Sequence, residues 1–107
     1  MKEGISDSAT ALLRAIRAAL SDAGQFVLEE LKSRAWASIT FSGARHELAF
    51  RVEGAGAGEA AARFLADLRA AEFPLRGHIV ADIAVVAEDR RPERASIRLE
   101  ALTVEED

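Results

Sequence analysis

The sequence predicts an α+β fold: a two-layer sandwich in the order αββαββ, with a four-stranded, mainly antiparallel sheet and two helices on one face. Three observations predict it. Two segments repeat apolar residues at helical spacing, and four others alternate with period two or are rich in strand formers. The chain has 107 residues, the size of one domain. It carries seven glycines, two prolines and no cysteine, so a hydrophobic core rather than disulfides must hold it. A chain of this length buries roughly 65% of its extended surface, enough for one core. Residues 1–107 are read as a single α+β domain ending in a short acidic tail, 105–107.

Residues 7–23 read as the first helix. Ala9, Leu12, Leu13, Ile16, Leu20 and Ala23 form one stripe, and Asp7, Thr10, Arg14, Arg17 and Ser21 form the other. Ser6 or Asp7 suits its N-cap, and Gly24 its left-handed stop. Residues 26–33 fit either a short helix or the first half of a long strand. Phe26-Val27 after Gly24 favours the extended form. Residues 35–42 read as a strand with Ala35, Ala37, Ile39 and Phe41 on one face and Trp36, Ser38 and Thr40 on the other. Ser42-Gly43-Ala44 is the expected turn. Residues 45–53 alternate most cleanly, with His46, Leu48, Phe50 and Val52 inward and Arg45, Glu47, Arg51 and Glu53 outward.

Gly54-Ala55-Gly56-Ala57-Gly58 reads as a flexible link. A second helix follows over 59–72, with Ala61, Phe64, Leu65, Leu68 and Ala71 as its apolar stripe and Glu59–Arg63 and Arg63–Asp67 as outer-face pairs. Phe73-Pro74 ends it. In the strand 78–88, Ile79, Ala81, Ile83, Val85 and Ala87 form one face. The other holds His78, Val80, Asp82, Ala84, Val86 and Glu88, and is unusually apolar between its ends. After a polar connection through Pro92, residues 94–104 form the last strand, with Ala95, Ile97, Leu99 and Ala101 inward. A phase change at Leu102 and Val104 implies a bulge or a contact outside the main sheet.

The two halves repeat the same unit at an offset of about fifty residues, without residue-level similarity. The second strand, second helix and third strand form a crossover. With the fourth strand inserted between the second and third, the sheet is a split βαβ unit, a circularly permuted ferredoxin-like topology. A meander of two successive hairpins is the alternative.

Charge narrows the function. The chain holds 14 basic and 18 acidic residues, and its net −4 lies entirely within residues 78–107. The body is evenly mixed. Nucleic-acid binding needs clustered cations, and only Arg90-Arg91 adjoin. Twelve arginines against two lysines, with abundant alanine, reflect GC-rich codons rather than special arginine chemistry. No apolar run reaches the ~20 residues that cross a bilayer, and the N-terminus lacks a leader pattern, so a cytoplasmic location is expected.

Motifs for chemistry are thin. The glycine link departs from G-x-G-x-x-G, since Gly58 comes one residue early and Glu59 brings a carboxylate to the helix start, where a phosphate would sit. His46, His78 and Asp82 lack metal-ligand spacing, so no metal and no cofactor is expected. Ser38, Thr40 and Ser42 lie near Trp36 but in no nucleophile elbow. The tandem acids Glu29-Glu30 and Glu88-Asp89 should point apart. The best polar pair is His78 with Asp82, which share a face about 13 Å apart on an ideal strand. They frame a candidate catalytic pocket aided by Arg76 or Ser38. His46 reads as a partly buried histidine at the rim of the core.

Trp36, with Ser38, Val80, Ala84 and Val86, forms a candidate patch on the sheet face that two helices leave bare. Arg51, Glu53, Arg94, Arg98 and Glu100 border it. A patch of this kind marks an interface or a ligand cleft. The expectation is a non-enzymatic binding or assembly module that self-associates as a homodimer, through that face or edge to edge. A small-molecule ligand is the other candidate partner, and no nucleic-acid or membrane partner is expected. The alternative is a small enzyme or accessory subunit with a pocket at His78 and Asp82.

Overall fold

The computed structural model of the chain describes residues 7–68, 73 and 75–106. Six elements follow in order: α1 (Asp7–Ala19), β1 (Gln25–Ala37), β2 (Ser42–Glu53), α2 (Ala57–Ala66), β3 (His78–Arg91) and β4 (Arg94–Glu105). The strands form one four-stranded antiparallel sheet in the order β1-β2-β4-β3. The meander is therefore not formed, because β4 lies between β2 and β3. The second helix, expected over 59–72, ends at Ala66 with Asp67 as its C-cap. The expected cap at Ser6, and Ala71, Pro74 and Asp107, lie outside the described residues.

α1 forms where Leu12, Ile16 and Leu20 recur every four residues, and all three are buried. The helix itself stops at Ala19. Leu20 to Ala23 tighten into a turn, with the Ala23 N–H donating to Leu20 O at 3.0 Å. Gly24 then takes φ +141, and a methyl there would strike the Glu53 carbonyl oxygen. Both the dihedral and the close approach require glycine.

The ambiguous segment 26–33 is strand, the first part of the 13-residue β1. The hairpin that follows turns earlier than expected, at 38–41 rather than 42–44. Ser38 closes it: its N–H donates to Phe41 O at 2.7 Å, and its Oγ accepts from the Phe41 N–H at 3.1 Å. Ile39 and Phe41, expected inward, are instead exposed at the tip. Gly43 lies inside β2, where a methyl would collide with the Thr103 carbonyl oxygen. It serves close strand contact rather than a turn.

The glycine link is also shorter than expected. α2 starts at Ala57, and Gly58 is buried in its first turn, donating its N–H to Pro92 O at 3.2 Å. A side chain at Gly58 would hit the Arg91 carbonyl oxygen, so this glycine lets the helix sit directly on the β3–β4 hairpin. Glu59 and Arg63 pair across one turn at 3.3 Å. At the C-terminal end, Glu105 belongs to β4 rather than to a loose tail, and the Glu106 N–H donates to Gly77 O at 2.9 Å.

One core cluster joins Leu12, Ile16 and Leu20 of α1, Ala57 and Ala61 of α2, and the inward residues Leu48, Phe50, Val52, Ala95, Ile97 and Leu99. Both helices therefore cover one face. Phe50 stacks on Phe26 with ring centroids 4.9 Å apart, and the Arg17 guanidinium caps Phe26 at 5.1 Å. α1 spans about 20 Å, while strands of 12–14 residues reach about 40 Å. The helices thus cover only part of the sheet's length, and the molecule is elongated at 47 × 28 × 21 Å. Among the described residues no helix is long and apolar enough to cross a membrane.

Candidate open-face interface

Register decides which side chains meet on the uncovered face. The inner strands β2 and β4 pair without interruption, whereas each edge strand is bulged: β1 between Leu28 and Glu30, and β3 between Val80 and Asp82 and again between Val85 and Ala87. Each bulge reverses the alternation beyond it. The open face is therefore built of rows read across β1-β2-β4-β3. Trp36, Gly43, Val104 and Ile79 form the first row. Arg34, Arg45, Leu102 and Asp82 form the second. Lys32, Glu47, Glu100 and Ala84 form the third, and Glu30, Ala49, Arg98 and Ala87 the fourth.

These rows revise the sequence-derived patch. Trp36 and Ala84 lie on the open face, both half-buried. Val80 does not: it pairs with buried Thr103 and packs against the core. Val86 is a bulge residue on the edge strand and 50% exposed. Ser38 is in the hairpin turn. Ile79, expected inward, takes the place of Val80 on the open face and is 51% exposed. The phase change at Leu102 and Val104 needs no bulge in β4. Thr103 stays inward and fully buried, while its two neighbours lie on the open face. The bulges of the expected kind are in β3, the facing strand.

The bulge at Ala81 also separates the other candidate pair. His78 pairs with Glu105 and Asp82 with Leu102, positions of opposite parity on β4, so the two side chains leave from opposite faces. His78 Nδ1–H instead donates to Arg76 O at 3.2 Å. Asp82 lines a shallow depression of about 260 Å³ on the open face, with Arg45, Glu47, Ala84, Glu100 and Leu102.

The two ends of this face differ in electrostatics. In the rows under the helices, Glu30 receives Lys32 Nζ at 3.1 Å and Arg98 Nη2 at 3.2 Å. Lys32 first, then Arg98, hold its carboxyl below the usual range. Arg51 donates Nη1 to Glu29 at 2.7 Å and Nε to Glu53 at 2.8 Å. The tandem acids Glu29 and Glu30 therefore do not point apart. The bulge lets both serve arginines on one face, and Ala49 is buried beneath them. In the first three rows the picture changes. Among the described residues, Arg34, Arg45, Asp82 and Glu100 have no ion-pair partner within the chain. Beside them stand Trp36, Ile79, Leu102 and Val104, and the shielded Trp36 Nε1 has no hydrogen-bond acceptor.

On the helix side, sequence reasoning underestimated His46. It is 1% exposed, not a rim residue. Nδ1 lies 2.8 Å from Ser33 Oγ, and Nε2 lies 2.9 Å from Thr103 Oγ1 and 3.4 Å from Ser8 Oγ. Thr103 Oγ1–H donates to Ala44 O at 3.4 Å, so Nε2–H donates to Thr103 and Nδ1 accepts from Ser33. This tautomer is assigned from the bonding pattern. Burial first, and then the neighbouring His78, hold His46 below its ordinary value of 6.5. Ser33 is exposed and adjoins a histidine, the outline of a nucleophile and its base. Yet behind the ring stands a threonine rather than a carboxylate, and burial disfavours the imidazolium that a base must become. The cluster ties α1, β1, β2 and β4 together rather than activating Ser33. The serine-and-threonine signal for it, Ser8, Ser33 and Thr103, is scattered over the chain, and only the register gathers it.

Among the described residues no three metal-ligating side chains cluster. A groove of about 420 Å³ between the helices is lined by Asp22, Arg63, Phe64, Asp67 and Phe73, with charges of both signs and no convergent set of donors. Comparison with known proteins finds no family model, no curated protein and no solved structure that matches this chain.

Proposed function

We propose that the chain is a small non-enzymatic binding or assembly module that self-associates through the open face of its sheet. The observation that carries this reading is the first row of that face. Trp36, Val104 and Ile79 stand in one row with no helix over them, next to charges that no described residue of the same chain neutralises. Clustered, uncovered apolar side chains on a face are the usual mark of an interface. Bulges in both edge strands disfavour edge-to-edge pairing, since a bulge disrupts the ladder a second strand would extend. The strand order β1-β2-β4-β3 supports reading the sheet as a circularly permuted ferredoxin-like arrangement, an architecture that by itself implies no activity. The proposal carries with it a cytoplasmic location, which fractionation checks.

Sedimentation velocity from low to high micromolar concentration tests self-association. Concentration-dependent dimerisation is expected, weakened at least about tenfold by Trp36→Ala, as for a central aromatic at an interface. A wild-type chain that stays monomeric across that range would overturn the reading. A small molecule held in the depression at Asp82 is the competing occupant and predicts that monomeric outcome.

A further inference from the structure

We infer that the second copy docks face to face about a two-fold axis parallel to the strands, seating Arg34 of each chain in the acidic depression of the other. The inference rests on the self-association reading above and specifies its geometry. A dyad along the strands reverses the strand order and keeps the rows, because it exchanges left and right without exchanging the ends of the sheet. β1 of one copy then faces β3 of the other, and β2 faces β4.

Three meetings follow from the register. Arg34 on β1 faces Asp82 on β3 of the second copy, and the reverse, giving two equivalent contacts between groups that lack partners among the described residues of their own chain. Trp36 faces Ile79. Val104 faces Gly43, which presents backbone rather than a side chain to it. The depression, where Glu47, Asp82 and Glu100 outweigh Arg45, provides space for the guanidinium, and Lys32, already paired with Glu30 of its own chain, comes down over Ala84. In the second and third rows the β1–β2 half carries Lys32, Arg34 and Arg45, with Glu47 as its one acid, while the β4–β3 half carries Asp82 and Glu100. A left–right exchange therefore lays a mainly basic half on an acidic one. A dyad across the strands through the second row would instead lay Arg34 on Arg34 and Asp82 on Asp82. Glu47 meeting Glu100 is the like-charge contact of the favoured arrangement, so Glu47→Gln should tighten association.

Charge reversal tests the geometry separately from association itself. Arg34→Asp alone and Asp82→Arg alone should each raise the dimer dissociation constant at least about tenfold, the usual cost of setting like charges against each other at an interface. Mixing the two variants should restore association, because each of the two equivalent contacts in the mixed dimer then pairs one carboxylate with one guanidinium. The double variant R34D/D82R should self-associate again for the same reason. Circular dichroism checks that each variant is folded; both sites are on the surface, and rescue in the mixture requires folded chains. A wild-type dimer sensitive to Trp36→Ala but indifferent to the charge reversals, or not rescued by mixing, would overturn this docking while leaving self-association standing. A wild-type monomer would overturn both.

Discussion

The two ends of the open sheet face are made from the same kinds of residue and behave differently. Beneath the helix-covered end, Glu29, Glu30, Arg51 and Arg98 are matched within the chain and shield Ala49. At the hairpin end, arginines and acids stand without partners among the described residues, beside Trp36, Ile79 and Val104. The difference is one of spacing. At the matched end a bulge places two glutamates where two arginines can reach them. At the other end like charges sit side by side on one half, as Arg34 does opposite Arg45. Matched surface pairs add little stability, typically about 0–1 kcal/mol, but they leave nothing for a partner to neutralise. Unmatched ones leave the complementary charge to be supplied from outside.

The largest effects should break the comparison at its core. Phe50→Ala, under the helices, should cost about 3–5 kcal/mol in urea denaturation, by lost transfer and cavity terms. Ile39→Ser at the bare hairpin tip should stay within about 0.5 kcal/mol. An equal loss at both sites would show that the hairpin end carries a core of its own.

Gly58→Ala reverses a usual sign. Within a helix this change normally stabilises by about 1 kcal/mol. Here the added methyl meets the Arg91 carbonyl oxygen, so a loss of about 1–3 kcal/mol is expected from thermal or urea unfolding.

His46 lies where the helix-covered end meets the bare one. Its folded pKa is lowered, so the unfolded chain takes up the proton first. Its stabilising contribution is fully present above the unfolded value, near 6.5, and is lost as pH falls from there towards the folded value. The urea midpoint of the wild type should drop through that window, and His46→Gln should flatten the drop. An unchanged slope would mean that the imidazole is not the group responsible. At neutral pH His46→Leu should cost about 1–3 kcal/mol by stripping the buried Thr103 hydroxyl of a partner. The smallest effect should come from Arg98→Met. Its ion pair is worth at most about 1 kcal/mol, and a charge lost from the matched end should leave self-association unchanged in sedimentation.

Much of the architecture was legible in the chain. Residues 45–53 announced their inward face correctly, because every second side chain from His46 to Val52 is buried. The helix stripe Leu12, Ile16, Leu20 is equally direct. The candidate site was legible only in part. Trp36 and Ala84 lie on the face their alternation predicts, Val80 lies on the other, and Ile79 and Asp82 have other neighbours than their spacing predicts. Each error borders a shift that alternation cannot reveal: the hairpin closed by Ser38, and the bulges at Ala81 and Val86.

By itself the sequence determined the type and order of the elements, since helix and strand periods are written in local spacing. It also set the balance of charge. Tertiary structure decided the strand order, the phase of β3 and the company of His46. These depend on pairing between segments far apart in the chain, where one unpaired residue exchanges the two faces of everything after it. A face of a strand becomes a surface or a core only when its neighbour's register is fixed.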